Sequence, residues 1–346
     1  MAVDGVHFVG SVNLPDAQTS FRSLAVAAGP HAARVPDGET GARATWIGWL
    51  IERLQRSPVL EEKATAVVAG RERPCFGLAD GASPAGSLRV DLGYADAALQ
   101  SYQLFADLRE QGVIRPGTRF QVTFATPGVL SMVFIKADEQ LRLENAVRAT
   151  LAEQIDAIAA KVPHEDLAIQ WDAPAEVGMM ERMFPSWYPT TDTTREVTER
   201  LAGLAALVPA DVELGFHLCY GDSGDVDDPE GSHWKNPDNL GVVTSMMNEL
   251  TAATPRPIGY FHVPVPIRRD DVAYFAPLEA LRIPDTCTLY LGLLHREDGL
   301  EGARRRITAA RSVRSAFGLA TECGMGRERR ESINGLLALH GAAPEL

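Results

Sequence analysis

Residues 288–323 read TLYLGLLHREDGLEGARRRITAARSVRSAFGLATEC, and this stretch decides the fold. TLYLGLLH (288–295) is a short apolar run without polar alternation, as expected of a strand covered on both faces. It stops at a polar cluster, His295, Arg296, Glu297 and Asp298. A helical pattern over 301–317 follows, and the apolar run 317–323 completes a strand–helix–strand unit, the building block of a parallel sheet.

The same unit recurs upstream. Further strands are expected at 6–10, 33–35, 119–125, 167–172, 213–219 and 258–263, each short and rich in β-branched or aromatic residues. Residues 141–160 repeat apolar side chains at three and four positions, the helical period. The helix over 193–207 opens with Thr193, Thr194 and acidic Glu196, a capping signature, and 327–339 closes the series. Eight strand–helix alternations predict a single (β/α)8 barrel spanning 1–346. Two segments break the rhythm. Residues 63–94 carry VVAG, CFGL and SLRVDLGY separated by Gly and Pro, which reads as an inserted hairpin or small extra sheet. Residues 221–240, with His233 and Trp234, form a polar loop on the side of the barrel that carries chemistry, a candidate lid.

Of 346 residues, 45% are hydrophobic and 23% charged, and 33 basic against 46 acidic residues leave a net charge of −13. That balance argues against a phosphate-backbone binder and against docking on anionic lipid. The opening MAVDGVHFVGSVNLPD lacks the basic and apolar regions of a secretory signal. No apolar run approaches the roughly 18 residues of a membrane span. The four cysteines, Cys75, Cys219, Cys287 and Cys323, are widely spaced without a CxxC pair, as in a reduced cytoplasmic protein. Cys75 and Cys287 read as packing residues.

Polar residues gather where strands end: Asp172 in IQWDAPAEV, His217 and Cys219 in GFHLCYGD, His262 in GYFHVPV, His295 in LGLLHRED and Cys323 in ATECGMGR. On a strand, positions two apart point the same way, so His217 and Cys219 share a face. Imidazole and thiolate are good ligands for a borderline divalent ion, and zinc takes four in a tetrahedron. A single His-x-Cys pair is more often a buried cysteine beside a hydrogen-bonded histidine. Barrel closure, which brings distant strand ends together, favours the metal reading.

In order along the chain, VGSVNLPD, VPDGETGAR, FATPGVLSMVF, IQWDAPAEV, GFHLCYGD and ATECGMGR resemble the motifs of the cobalamin-independent methionine synthase family, in its C-terminal catalytic barrel. The resemblance covers nearly the whole chain and points to short, single-barrel members. It implies a zinc-dependent methyl or alkyl transferase acting on a thiol such as homocysteine, within methionine biosynthesis. Carried over, His217, Cys219 and Cys323 fall on zinc-ligand positions. His262 stands where the family has a glutamate ligand, implying a His2Cys2 site. Ser11, Glu39 and Asp172 match positions that hold the amino and carboxyl groups of homocysteine, and His295 matches a histidine that can donate a proton. Asp172 and His295 are therefore the expected catalytic residues. Arg327 is read from its own position, just after GMG near a helix start, as facing an anionic substrate group.

Two departures bear on the alkyl donor. The family's second acid after Asp172 is Ala173, and the strand end that carries a stacking aromatic reads Ser131, Met132, Val133, Phe134. Phe134 is the nearest substitute, so a folate donor stays open. The same zinc–thiolate chemistry would serve thiol addition or C–S cleavage. Rival readings are a metal-free decarboxylase like uroporphyrinogen decarboxylase, using Asp172 and arginines, and a binding protein with a decayed site. Neither nucleic acid nor membrane is an expected partner, and self-association is left open.

Overall fold

The computed structural model describes residues 4–68, 71–83, 86–221 and 234–346. Seven strands form one sheet: β1 (Arg34–Pro36), β4 (Arg119–Ala125), β5 (Leu167–Asp172), β6 (Glu213–His217), β7 (Tyr260–Pro264), β8 (Thr288–Leu294) and β9 (Gly318–Thr321). They lie side by side in that order, every pair parallel. Each neighbour follows through a helical crossover, which is why the runs read from sequence are apolar throughout. Two further strands among the described residues, β2 (Leu60–Val68) and β3 (Arg71–Leu78), pair antiparallel as a separate hairpin within and just ahead of the irregular 63–94 stretch. The hairpin joins the main body where Lys136 N donates to the Phe76 carbonyl at 2.9 Å. Residues from Ser87 to Gly93 add no strand to it, and Tyr94 opens the helix Tyr94–Glu110.

The strand expected at 6–10 is not a regular strand. The segment instead makes isolated bridges to both edges of the sheet, Val6 to Ala32 and to Leu319, Ser11 to Gly38, and Val12 to Met325. His7 N donates to the Leu319 carbonyl at 2.8 Å, and Val6 N to the His31 carbonyl at 2.9 Å. The architecture is thus a curled seven-stranded parallel sheet whose edges are joined through residues 4–13, rather than eight regular strands. The helix expected from Thr193 runs Thr193–Ala205, but Asp192 is its cap, its carboxylate accepting from Arg195 N at 3.1 Å. Residues 222–233, the greater part of the candidate lid and including His233, lie outside the described residues. No helix of the described residues is long and apolar enough to cross a membrane.

Side chains alternate along the strands. Val122, Phe124, Ile169, Trp171, Leu214, Phe216 and Phe261 are buried in the apolar core with the helices. The opposite face carries polar groups and rings. Gln121 donates to the carbonyls of Phe8 and Val9, at 3.0 and 2.9 Å. Gln170 accepts from Tyr260 and pairs with His7 Nε2 at 3.0 Å. The Arg34 guanidinium donates to both oxygens of Glu213, at 2.8 and 3.2 Å, and lies 3.9 Å over the Tyr260 ring. Removing one partner from such a buried pair costs about 3–5 kcal/mol. The Tyr260 ring fits because position 215 is glycine: a Cβ there would stand 2.1 Å from it.

Candidate active site

Parallel pairing aligns Asp172, His217 and His262 in one row across β5, β6 and β7. His217 ends its strand, and Cys219 lies two residues further on. Cys323 follows β9, from a strand far along the sheet. The ligand atoms of His217, Cys219 and Cys323 all lie within 4.8 Å of one another, with His217 Nε2 3.7 Å from Cys323 Sγ. His217 and Cys219 are buried, and Cys323 is half-buried.

Cys219 and Cys323 share a sulfur hydrogen bond. That bond, with burial, pushes the Cys219 thiol up. The same bond, together with His217 and Arg327, pulls the Cys323 thiol down against the effect of burial. One imidazole nitrogen and two sulfurs at this spacing suit zinc, which favours thiolate and imidazole donors.

His262 is not part of this cluster. Its Nδ1 is 2.7 Å from His217 Nδ1, and its Nε2 is 3.0 Å from the Thr321 carbonyl oxygen. Where the sequence reading expects a fourth ligand, both ring nitrogens meet neighbours, because strand register sets His262 beside His217 rather than across from it.

The cluster forms part of the wall of a cavity of about 230 Å³. Ser11, Glu39, Asp172 and Arg327 all line it. The Ser11 hydroxyl occupies space that only glycine at 324 and 326 leaves open, since a Cβ there would stand 2.4 or 2.6 Å from its Oγ. Glu39 sits in a tight turn with φ 50, a left-handed conformation rare for a side chain of this size. The turn is held by Asp37, which accepts from Glu39 N at 2.9 Å, from Ser101 at 2.5 Å and from Arg43. Burial raises the Glu39 carboxyl to about 8, with the Arg43 guanidinium opposing and Asp172 adding repulsion. Burial likewise raises Asp172 to about 7, opposed by the facing His217 and by the hydrogen bond from Gln170 at 2.9 Å. Two carboxyls held this way gain by facing a cation, which restores their charge.

His295 is not among the residues lining the cavity. Its Nε2 donates to the Val265 carbonyl at 2.9 Å, and its Nδ1 lies 3.4 Å from Glu322. Burial lowers its pKa, and Glu322 opposes that. Phe134 does not line the cavity either; buried, it packs edge-on against Trp46 at 5.8 Å.

The aromatic end of the cavity is formed by Trp234, already placed in the candidate lid by sequence, with Met132 and with Trp46, Trp49 and Tyr94, which sequence reading missed. One signal was available: Trp46 and Trp49, three apart on the helix Trp46–Leu54, share a face and follow closely after Glu39. Trp49 and Tyr94 meet edge to face at 5.3 Å.

No family model matches the chain, and no curated protein does. Among solved structures it is similar to a B12-independent methionine synthase from Shewanella sp. W3-18-1, in complex with selenomethionine. The TM-score is 0.62 at 15% identity, covering 100% of this chain and 97% of that one. It is also similar to a putative vitamin-B12 independent methionine synthase from Listeria monocytogenes, with TM-score 0.55, 14% identity and 98% of each chain covered. A methyltransferase from Methanosarcina mazei gives 0.51 at 13% identity, covering 98% of this chain and 94% of that one. The chain therefore shares its fold, nearly end to end, with methionine synthases of the B12-independent kind and with this methyltransferase.

Proposed function

We propose that the protein is a zinc-dependent alkyl transferase, transferring a methyl group to a small thiol amino acid of the homocysteine type. The observation that carries this reading is the convergence of His217, Cys219 and Cys323 on the cavity that Glu39 and Asp172 also line. His217, Cys219 and Cys323 would hold the metal. A zinc ion held there would lower the pKa of a bound thiol, about 8.5 when free, and so favour its thiolate as the nucleophile. Three protein ligands, rather than four, leave room for a substrate sulfur.

The chain's own residues supply the rest. Glu39 and Asp172 receive the substrate ammonium through charge-assisted hydrogen bonds, which return both carboxyls to the ionised state. Ser11 and Arg327 bind the substrate carboxylate. Trp46, Trp49, Tyr94 and Met132 supply a dry, apolar wall for the alkyl donor, so that the sulfur meets carbon without competing water. The donor is a small molecule, and folate is one candidate. Nucleic acid and membrane have no part in this reading, which locates the enzyme in the reducing cytoplasm.

The test combines metal analysis of the purified protein with an alkylation assay on homocysteine, using methyl-tetrahydrofolate and methyl iodide as donors. Support would be about one zinc per chain and a protein-dependent rise in methionine formation that chelation abolishes. Full metal loading without acceleration for either donor would overturn alkyl transfer. A protein that takes up no metal would favour the metal-free decarboxylase reading instead.

A further inference from the structure

The polar atoms behind the cluster determine how His217 meets a metal. The Thr321 carbonyl oxygen, 3.0 Å from His262 Nε2, can only accept, so His262 Nε2 carries a hydrogen. The His262 ring is fully buried, and its two nitrogens face a histidine and a carbonyl rather than a carboxylate that would offset a buried charge. The ring is therefore neutral and its Nδ1 is bare. His217 Nδ1, 2.7 Å away, must be the donor in that bond. It follows that His217 Nε2 keeps its lone pair, on the side where Cys323 Sγ lies at 3.7 Å.

Thr321 closes the arrangement. Its carbonyl accepts from His262, while its hydroxyl donates to the Cys323 carbonyl at 2.8 Å. One residue at the end of β9 thus braces His217, through His262, and also the backbone that carries Cys323. The His217 and His262 rings are 4.6 Å apart between centroids, and His7 packs 5.6 Å from His262 on another side, so the row has little room to rotate.

We infer that His262 is a positioning residue for the metal site and not a ligand: it fixes His217 with Nδ1 protonated and Nε2 presented to the metal. This rests on the metal reading proposed above. An outer partner that sets a ligand's tautomer typically changes metal affinity by about 10–100-fold.

The experiment uses the full chain loaded with zinc or cobalt(II), and compares wild type with His262→Phe and His262→Gln. Phe removes both hydrogen bonds, whereas the Gln amide accepts through its oxygen and donates through its nitrogen. X-ray absorption should count one nitrogen and two sulfur ligands from protein in wild type and in both variants. Chelator competition should give a loss of about 10–100-fold in affinity for Phe, largely restored in Gln. Nitrogen NMR of the metal-free protein should find the proton on Nδ1 of His217 and on Nε2 of His262. A wild-type shell holding two histidine nitrogens, one of them lost on substitution, would overturn the inference while sparing the metal reading. Unchanged affinity in a folded His262→Phe would overturn it too. If Phe fails to fold, the wild-type ligand count and the Gln variant decide between the same outcomes. Failure of the wild type to bind either metal would bring down both readings together.

Discussion

His217 Nε2 and Cys323 Sγ stand 3.7 Å apart although 106 positions separate them in the chain. The contact exists because β6 and β9 belong to one curled sheet, which turns their ends toward a common space. Neither residue can be moved without disturbing the other, and that makes the pair the natural place to probe the site.

Cys219→Ser and Cys323→Ser should each remove most of the bound zinc while leaving the fold intact. A hydroxyl stays protonated where a thiol would not, and is a poor ligand for this ion. Metal analysis alongside circular dichroism checks this. Retention of one zinc per chain in either variant would contradict the assignment.

Trp46→Ala should act on the donor and not on the thiol. Loss of an aromatic face from the cavity removes about 1–1.5 kcal/mol of contact, or roughly a tenfold rise in the donor KM. The thiol KM should stay within about twofold of wild type in steady-state kinetics with each substrate varied in turn.

Glu176 gives a pH signature away from the His217, Cys219 and Cys323 cluster. Its carboxyl is buried, accepts from Thr126 at 2.9 Å, and is raised by that burial from 4.5 to about 7. The folded state therefore holds a proton that the unfolded chain releases. Stability from this group is present below about 4.5 and is lost as the pH rises to about 7. Glu176→Gln should flatten the fall in denaturation midpoint between about pH 4.5 and about pH 7. A slope identical to wild type would remove Glu176 as its source.

Gly215→Ala should destabilise by about 1–3 kcal/mol, because the new methyl group must displace a packed ring. Its Cβ would meet the Tyr260 ring at 2.1 Å. Adding Tyr260→Leu should recover part of the loss, measured as the coupling in a double-mutant cycle.

Seven of the eight expected strands were legible because a strand buried on both faces is written as an uninterrupted apolar run. The segment 6–10 carries the same signature but makes only single bridges to each edge, a distinction of hydrogen-bond pattern that composition does not encode. His217, Cys219 and Cys323 stood out as polar residues at strand ends. The surroundings of His262 did not, since the neighbour that a strand histidine meets depends on register between strands, here the pairing of His217 with His262. The aromatic wall was hidden for a related reason. Trp46, Tyr94 and Trp234 come from three unconnected stretches and acquire a common purpose only in space. The polar face of the sheet, with Arg34 against Glu213, was equally silent because period-two alternation was masked by Tyr260 and Tyr290 reading as apolar.

The stitching of residues 4–13 to both margins of the sheet bears on how the protein matures. His7 waits for Leu319, and Ser11 for Met325, so residues 4–13 find their place only after a segment some three hundred positions later has been made. A nascent chain lacking that late strand has neither Cys323 nor the clasp that steadies it. Under the metal reading proposed above, loading would then wait until synthesis has passed Cys323.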